Sequence, residues 1–175
     1  GRAENGLPAE GTVFCCFNGT QKITPFVFER WMRILRDVPG GVLWLLKSCE
    51  EVDLRLRKHA AAAGIAPERL VFAPLATNRE HLARYALADL FLDTAPYGAH
   101  TTASDALWMG VPVLTVPGRG FAARVCASLV HAAGAPEFVC SSPEAYVRRA
   151  IALGRDRPAL AAARAQLLAA RSTSP

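Results

Sequence analysis

The stretch Ala88-Asp89-Leu90-Phe91-Leu92-Asp93, with the loop Thr94-Ala95-Pro96-Tyr97-Gly98-Ala99-His100 and the segment Thr101-Thr102-Ala103-Ser104-Asp105-Ala106-Leu107-Trp108-Met109 after it, decides how the remainder of the sequence is read. A short apolar run ends in a loop containing Pro and Gly. The loop feeds a helix from about Thr101 to Met109, and a second apolar run, Val111 to Val116, follows at once. Such runs suit strands covered on both faces, as in a parallel sheet with helices on either side. Strand, helix and strand in this order form one βαβ unit.

The same rhythm extends in both directions. Upstream lie the strand-like runs Thr12 to Asn18, Gly41 to Lys47 and Arg69 to Ala73. Between them come a helix from Pro25 to about Val38, one from about Glu51 to near Gly64, and a short one from Arg79 to Tyr85. Pro25 suits a first helical turn, with Thr24 as its cap. Downstream, Ala122 to Ala133 and Pro143 to Leu153 read as helices with a short Phe138-Val139 strand between them. Pro158 to Arg171 is a strong helix former by propensity, and Leu160, Leu167 and Leu168 keep roughly helical spacing, which predicts packing against the domain. Residues 1–11 read as a polar tail or linker and 12–175 as one domain. The predicted fold is α/β: a doubly wound, Rossmann-like parallel sheet with helices on both faces and C-terminal helices packed on it.

Composition narrows the function classes. A chain of 175 residues is long enough for one well-buried core, and 51% hydrophobic against 20% charged residues is a globular balance. The net charge of +5 arises from 20 Lys and Arg against 15 Asp and Glu, spread along the chain rather than gathered in a stripe. That pattern argues for an anionic small ligand and against nucleic acid. The five cysteines contain no C-x-x-C pair, so they read as reduced buried thiols rather than as disulfides or zinc ligands. With no membrane-length apolar stretch and no signal peptide, the expectation is a soluble, cytoplasmic protein.

In an open parallel sheet, ligands bind beyond the carboxyl ends of the strands, where strand order reverses. Three segments therefore matter: Asn18 to Thr24, Pro74 to His81, and Thr94 to Asp105. The third is the most specific, because His100-Thr101-Thr102 opens a helix whose first-turn N–H groups lack intrahelical partners and attract phosphate. The same residues would suit ordinary capping by Thr101 or Thr102, and spacing alone does not separate the two. Asp105, one turn further on, could accept hydrogen bonds from the vicinal hydroxyls of a ribose. Lys22 could neutralise a diphosphate oxygen. His81 could stack on a base while the Ala76 backbone reads its polar edge. Taken singly, each also fits an ordinary surface role. Gly118-Arg119-Gly120-Phe121-Ala122-Ala123 has the form of a dinucleotide fingerprint, but it follows the fifth strand rather than the first and no strand end carries the acid such a site uses.

Phe14-Cys15-Cys16-Phe17-Asn18, Lys22-Ile23, Val42 to Leu46, Glu80-His81, Leu92-Asp93-Thr94, His100-Thr101-Thr102, Asp105 and Leu107-Trp108 occur in this order. Together they resemble the C-terminal catalytic lobe of the O-linked N-acetylglucosamine transferase and SPINDLY family, from about Gly6 onward. The resemblance implies the second of two Rossmann-like lobes of a GT-B glycosyltransferase, preceded in the parent protein by a first lobe and tetratricopeptide repeats. It implies metal-independent, inverting transfer of a sugar from a nucleotide donor, UDP-N-acetylglucosamine foremost, to Ser or Thr of a protein. Lys22 would act at the departing diphosphate, His100, Thr101 and Thr102 would hold the same phosphates, Asp105 the ribose, and His81 with the Ala76 backbone the base. Without its partner lobe the chain is expected to be inactive. Two positions depart from the pattern: Gly19 stands where the family usually has Asn or Gln reaching the donor, and Asn78 where the animal enzymes carry a lysine near the ribose. Competing readings are a GDP-fucose-using lobe, a nucleotide-sugar epimerase of GT-B shape, a dinucleotide enzyme and a non-catalytic domain.

Overall fold

Five parallel strands, β1 (Val13–Cys16), β2 (Val42–Leu46), β3 (Leu70–Ala73), β4 (Leu90–Leu92) and β5 (Val113–Leu114), form one sheet in the order β3-β2-β1-β4-β5. They belong to a computed structural model that describes residues 1–172; the last three positions of the domain read as 12–175 lie outside the described residues. The helices are α1 (Pro25–Asp37), α2 (Glu50–Ala62), α3 (Asn78–Arg84), α4 (Thr101–Trp108), α5 (Val125–Ala132), α6 (Pro143–Arg155) and α7 (Arg157–Ala170). All residues of β1 and β4 are buried, so both faces of the central strands are covered, as their unbroken apolar runs require. The fold is the doubly wound sheet expected.

Helix α1 begins where its capping chemistry dictates. Thr24 Oγ1 accepts from the Val27 N–H at 3.3 Å, Pro25 occupies the first turn, and α1 then buries Val27, Phe28, Trp31, Met32, Ile34 and Leu35. Trp31 Nε1 donates to the Tyr146 hydroxyl at 3.1 Å, and that hydroxyl donates to the Asp93 carbonyl at 3.1 Å, tying α1, α6 and the end of β4 together. The Arg69 guanidinium donates to the carbonyls of Leu35, Val38 and Gly41 at 2.7–2.8 Å and so fastens the exit of α1 to the entry of β2.

Some elements differ from the sequence reading. The segment read as a tail or linker is docked: Arg2 donates to Asp89 Oδ2 at 2.8 Å and to the Gly11 carbonyl at 3.0 Å, and Leu7 joins the core at 4% exposure. The run Val111 to Val116 is strand only over Val113–Leu114. Beyond it, Thr115 bridges to Val139, which is all that remains of the expected Phe138-Val139 strand, because Pro136 starts a 3-10 turn through Phe138. The expected helix from Ala122 begins as α5 only at Val125, since the carbonyls of Ala122 and Ala123 accept from the N–H groups of Gly98 and Gly118. All five cysteines are free, and Cys49 is exposed rather than buried. Among the described residues, no helix is long and apolar enough to cross a membrane.

Candidate functional site

Strand order reverses between β1 and β4, so the loops leaving these neighbours part and frame a crevice at the carboxyl edge. The buried carboxylate of Asp93 organises the β4 loop. Its Oδ1 accepts from the N–H of Thr94 at 2.8 Å and of Ala99 at 2.7 Å, and its Oδ2 accepts from the Thr115 hydroxyl at 2.7 Å. Burial pushes the Asp93 carboxyl up, and these donors with the Cys126 thiol pull it back. Asn18 laces the two loops: its Nδ2 donates to Thr94 Oγ1 at 2.8 Å, and its Oδ1 accepts from the Thr102 hydroxyl at 2.5 Å.

Lys22 reaches the crevice from a 3-10 turn, Thr20–Lys22. Its ammonium donates to the Gly98 carbonyl at 2.9 Å and lies 4.0 Å from the centroid of the Tyr97 ring. Burial pushes the Lys22 pKa down, opposed by the Asp93 charge. One ammonium proton is thus engaged, leaving two for a ligand. Across from it, His100 is the N-cap residue of α4 and makes no side-chain cap bond. Neither Thr101 nor Thr102 caps the helix, and among the described residues no acceptor is placed for the backbone N–H of either. The His100 ring stacks on Tyr97, with centroids 5.3 Å apart and planes 18° from parallel, and meets the edge of Phe121. The Thr101 side is exposed.

One turn along α4, Asp105 is half-buried. Burial raises its pKa and the neighbouring His81 lowers it. His81, on α3, packs edge-on against Phe17 at 5.3 Å and Tyr85 at 5.4 Å, and its pKa is pushed down by burial, then by Arg84, with Asp105 opposing. Ala76 lies exposed in the loop after β3. That loop is fixed at both ends: Arg84 donates to the Pro74 carbonyl at 3.0 Å, and Thr77 and Glu80 form a capping box. Lys22, His100, Thr101 and Thr102 therefore gather around one loop, His81 and Asp105 form a neighbouring pair, and Ala76 stands on the third loop of the same sheet edge.

Sequence reasoning gave no role to Asn18, Asp93 and Arg84, which position these groups. The available signal was a polar residue ending an apolar run at the ligand edge, as at Asn18 and Asp93, since a buried polar group requires partners. The Gly118 to Ala123 segment is not a nucleotide-binding helix start: Gly118 donates to Ala123, three residues form a 3-10 turn, and the helix begins after them. A groove of about 820 Å³ between α1 and α2, lined by Phe28, Met32, Val52 and Leu56, touches Thr20 and Gln21 but none of the predicted site residues. Among the described residues, no group of three or more His, Cys, Asp or Glu is arranged to hold a metal ion.

Compared with known proteins, residues 1–175 match the description of glycosyl transferase family 41 from end to end. The chain belongs to that family. The UDP-N-acetylglucosamine–peptide N-acetylglucosaminyltransferase of Caenorhabditis elegans is 40% identical to this family-41 chain over 173 residues, 99% of the chain and 15% of the worm protein. The relative named SEC from Arabidopsis thaliana is 39% identical over 175 residues, 99% of the chain and 18% of its own length. A mutant of the Thermobaculum terrenum O-GlcNAc transferase superposes with a TM-score of 0.88 at 38% identity, covering 95% of the chain and 34% of that structure. The family-41 chain thus has the Rossmann-like fold of a GT-B catalytic lobe, and it spans under a fifth of these two curated relatives.

Proposed function

We propose that this family-41 chain is the donor-binding half of an inverting protein O-glycosyltransferase that takes a UDP-sugar, UDP-N-acetylglucosamine, and delivers the sugar to Ser or Thr of proteins. The observation that carries this reading is the start of α4. Its two unpartnered N–H groups, at Thr101 and Thr102, face a crevice to which Lys22 brings an ammonium anchored on Gly98. A diphosphate suits that arrangement, with charge-assisted bonds to Lys22 and His100 and backbone donors from α4. The ribose falls to Asp105, and the base to His81 with the Ala76 backbone. The activity named for the worm and bacterial relatives supports the choice of donor.

In the transfer, an acceptor hydroxyl oxygen bonds to the anomeric carbon as the bond to the diphosphate oxygen breaks. Negative charge grows on the departing diphosphate, and Lys22 with the α4 donors stabilises it in place, which lowers the barrier without a metal. The attacking hydroxyl comes from the substrate protein and gives its proton to a base outside the residues of this chain, so the chain by itself binds donor without turnover. Calorimetric titration of the intact protein tests this. UDP binds in preference to GDP, and Lys22→Ala or Asp105→Ala weakens UDP by about tenfold or more, the scale of one charge-assisted bond. Equal affinity of wild type and both variants, or amide signals of His100 to Asp105 indifferent to UDP, would sink the proposal.

A further inference from the structure

The turn that presents Lys22 contains a second polar group that no role yet claims. Gln21 precedes Lys22 in the turn Thr20–Lys22 and is exposed, yet its side chain does not extend into solvent away from the backbone. It folds back over Gly19: a Cβ on Gly19 would stand 2.4 Å from Gln21 Oε1 and 2.6 Å from Nε2, too close for any side chain to share the space. Gly19 itself has φ −58° and ψ 143°, a conformation open to every residue, so the backbone does not call for glycine here. The missing side chain is what makes room for the carboxamide. No hydrogen-bond partner is placed for that carboxamide among the described residues, although two donors and an oxygen are available there.

We infer that Gln21 is a donor-binding residue whose carboxamide, seated in the space over Gly19, donates through Nε2 to the diphosphate held by Lys22. The inference rests on the reading of this crevice as a nucleotide-sugar site. Residue 19 and residue 21 then act as one unit: the glycine provides the seat and the glutamine fills it. Lys22 supplies the charge and Gln21 adds a directional, neutral donor one residue away, at the point where β1 ends.

The pairing gives the test an unusual form, because a substitution at Gly19 should act only through Gln21. UDP and UMP are titrated against the intact wild-type protein and against Gln21→Ala, Gly19→Ala, the double variant and Gln21→Glu, with thermal melting of each. Gln21→Ala weakens UDP by about tenfold, the lower end for a bond to a charged acceptor, and leaves UMP within about twofold. Gly19→Ala, which evicts the carboxamide, causes a comparable loss, and the double variant loses no more than either single one. Gln21→Glu keeps the shape but swaps a donor for a negative charge, so its loss exceeds that of Gln21→Ala. Melting temperatures stay together, since the collision at Gly19 is with the tip of an exposed, flexible side chain.

Additive losses at 19 and 21, or Gln21→Ala and Gln21→Glu both binding UDP as wild type does, overturn the role of Gln21. If Lys22→Ala still weakens UDP in that case, the nucleotide site stands and only this inference falls. If wild type binds no UDP at all, both fall together.

Discussion

His81 and Asp105, side by side in the candidate site, couple stability to pH with opposite signs. Burial, then Arg84, holds the His81 pKa below its ordinary 6.5. The unfolded chain therefore takes up the proton first, and the stability associated with neutral His81 is complete above pH 6.5 and is lost as pH falls toward the lower folded value. A neutral imidazole is also the form suited to stacking on a base. A proton NMR titration of His81 should give a midpoint below 6.5, and UDP affinity should weaken as pH drops through the same window. Asp105 has the opposite sign. Burial raises its carboxyl, so ionised Asp105 costs folding energy at neutral pH, and that cost is relieved on acidification. Loss of UDP binding in Asp105→Ala should come with an unchanged or higher melting temperature, which separates a binding role from a packing one.

At the scale of the element, the loop from β4 to α4 is built around Asp93. Removing its carboxylate strands the N–H groups of Thr94 and Ala99 and the Thr115 hydroxyl in a dry interior. Asp93→Ala should therefore destabilise the protein by about 2–4 kcal/mol in urea unfolding and disorder the loop that carries Gly98 and His100. Elements of this kind were only partly legible in the sequence. The strands could be read because a strand buried on both faces must be apolar throughout, and the α4 start because its residues are local. The short β5 and the late start of α5 could not be read, since both depend on distant partners: Thr115 donates to the Phe138 carbonyl and accepts from the Cys140 N–H, and the Ala122 carbonyl accepts from the Gly98 N–H. Lys22, His100 and Thr102 were legible as polar residues after strands. The lacing by Asn18 was not, because it joins residues 76 and 84 positions apart. Gln21 was missed for a related reason: its placement depends on the empty volume over Gly19, which no pattern of residue types records.

For the whole molecule, the site is only as rigid as the packing behind it. Gly154 of α6 lies against the core side of β1, where an added Cβ would stand 2.6 Å from Phe14 Cζ and 2.9 Å from Val38 Cγ2. Gly154→Ala should cost about 1–3 kcal/mol by overpacking, read as a lower denaturation midpoint, and leave UDP affinity of the folded protein nearly unchanged. The strand order has a further consequence during synthesis. Phe14 of β1 pairs on one side with Leu43 and on the other with Leu90, 47 residues later. At roughly 5–20 residues per second, a ribosome leaves that second edge open for about 2–10 s. Through this interval β1 carries side chains that the finished protein hides completely, with an unpaired edge beside them. The candidate crevice, whose two arms hang from β1 and β4, comes into existence only when that wait ends.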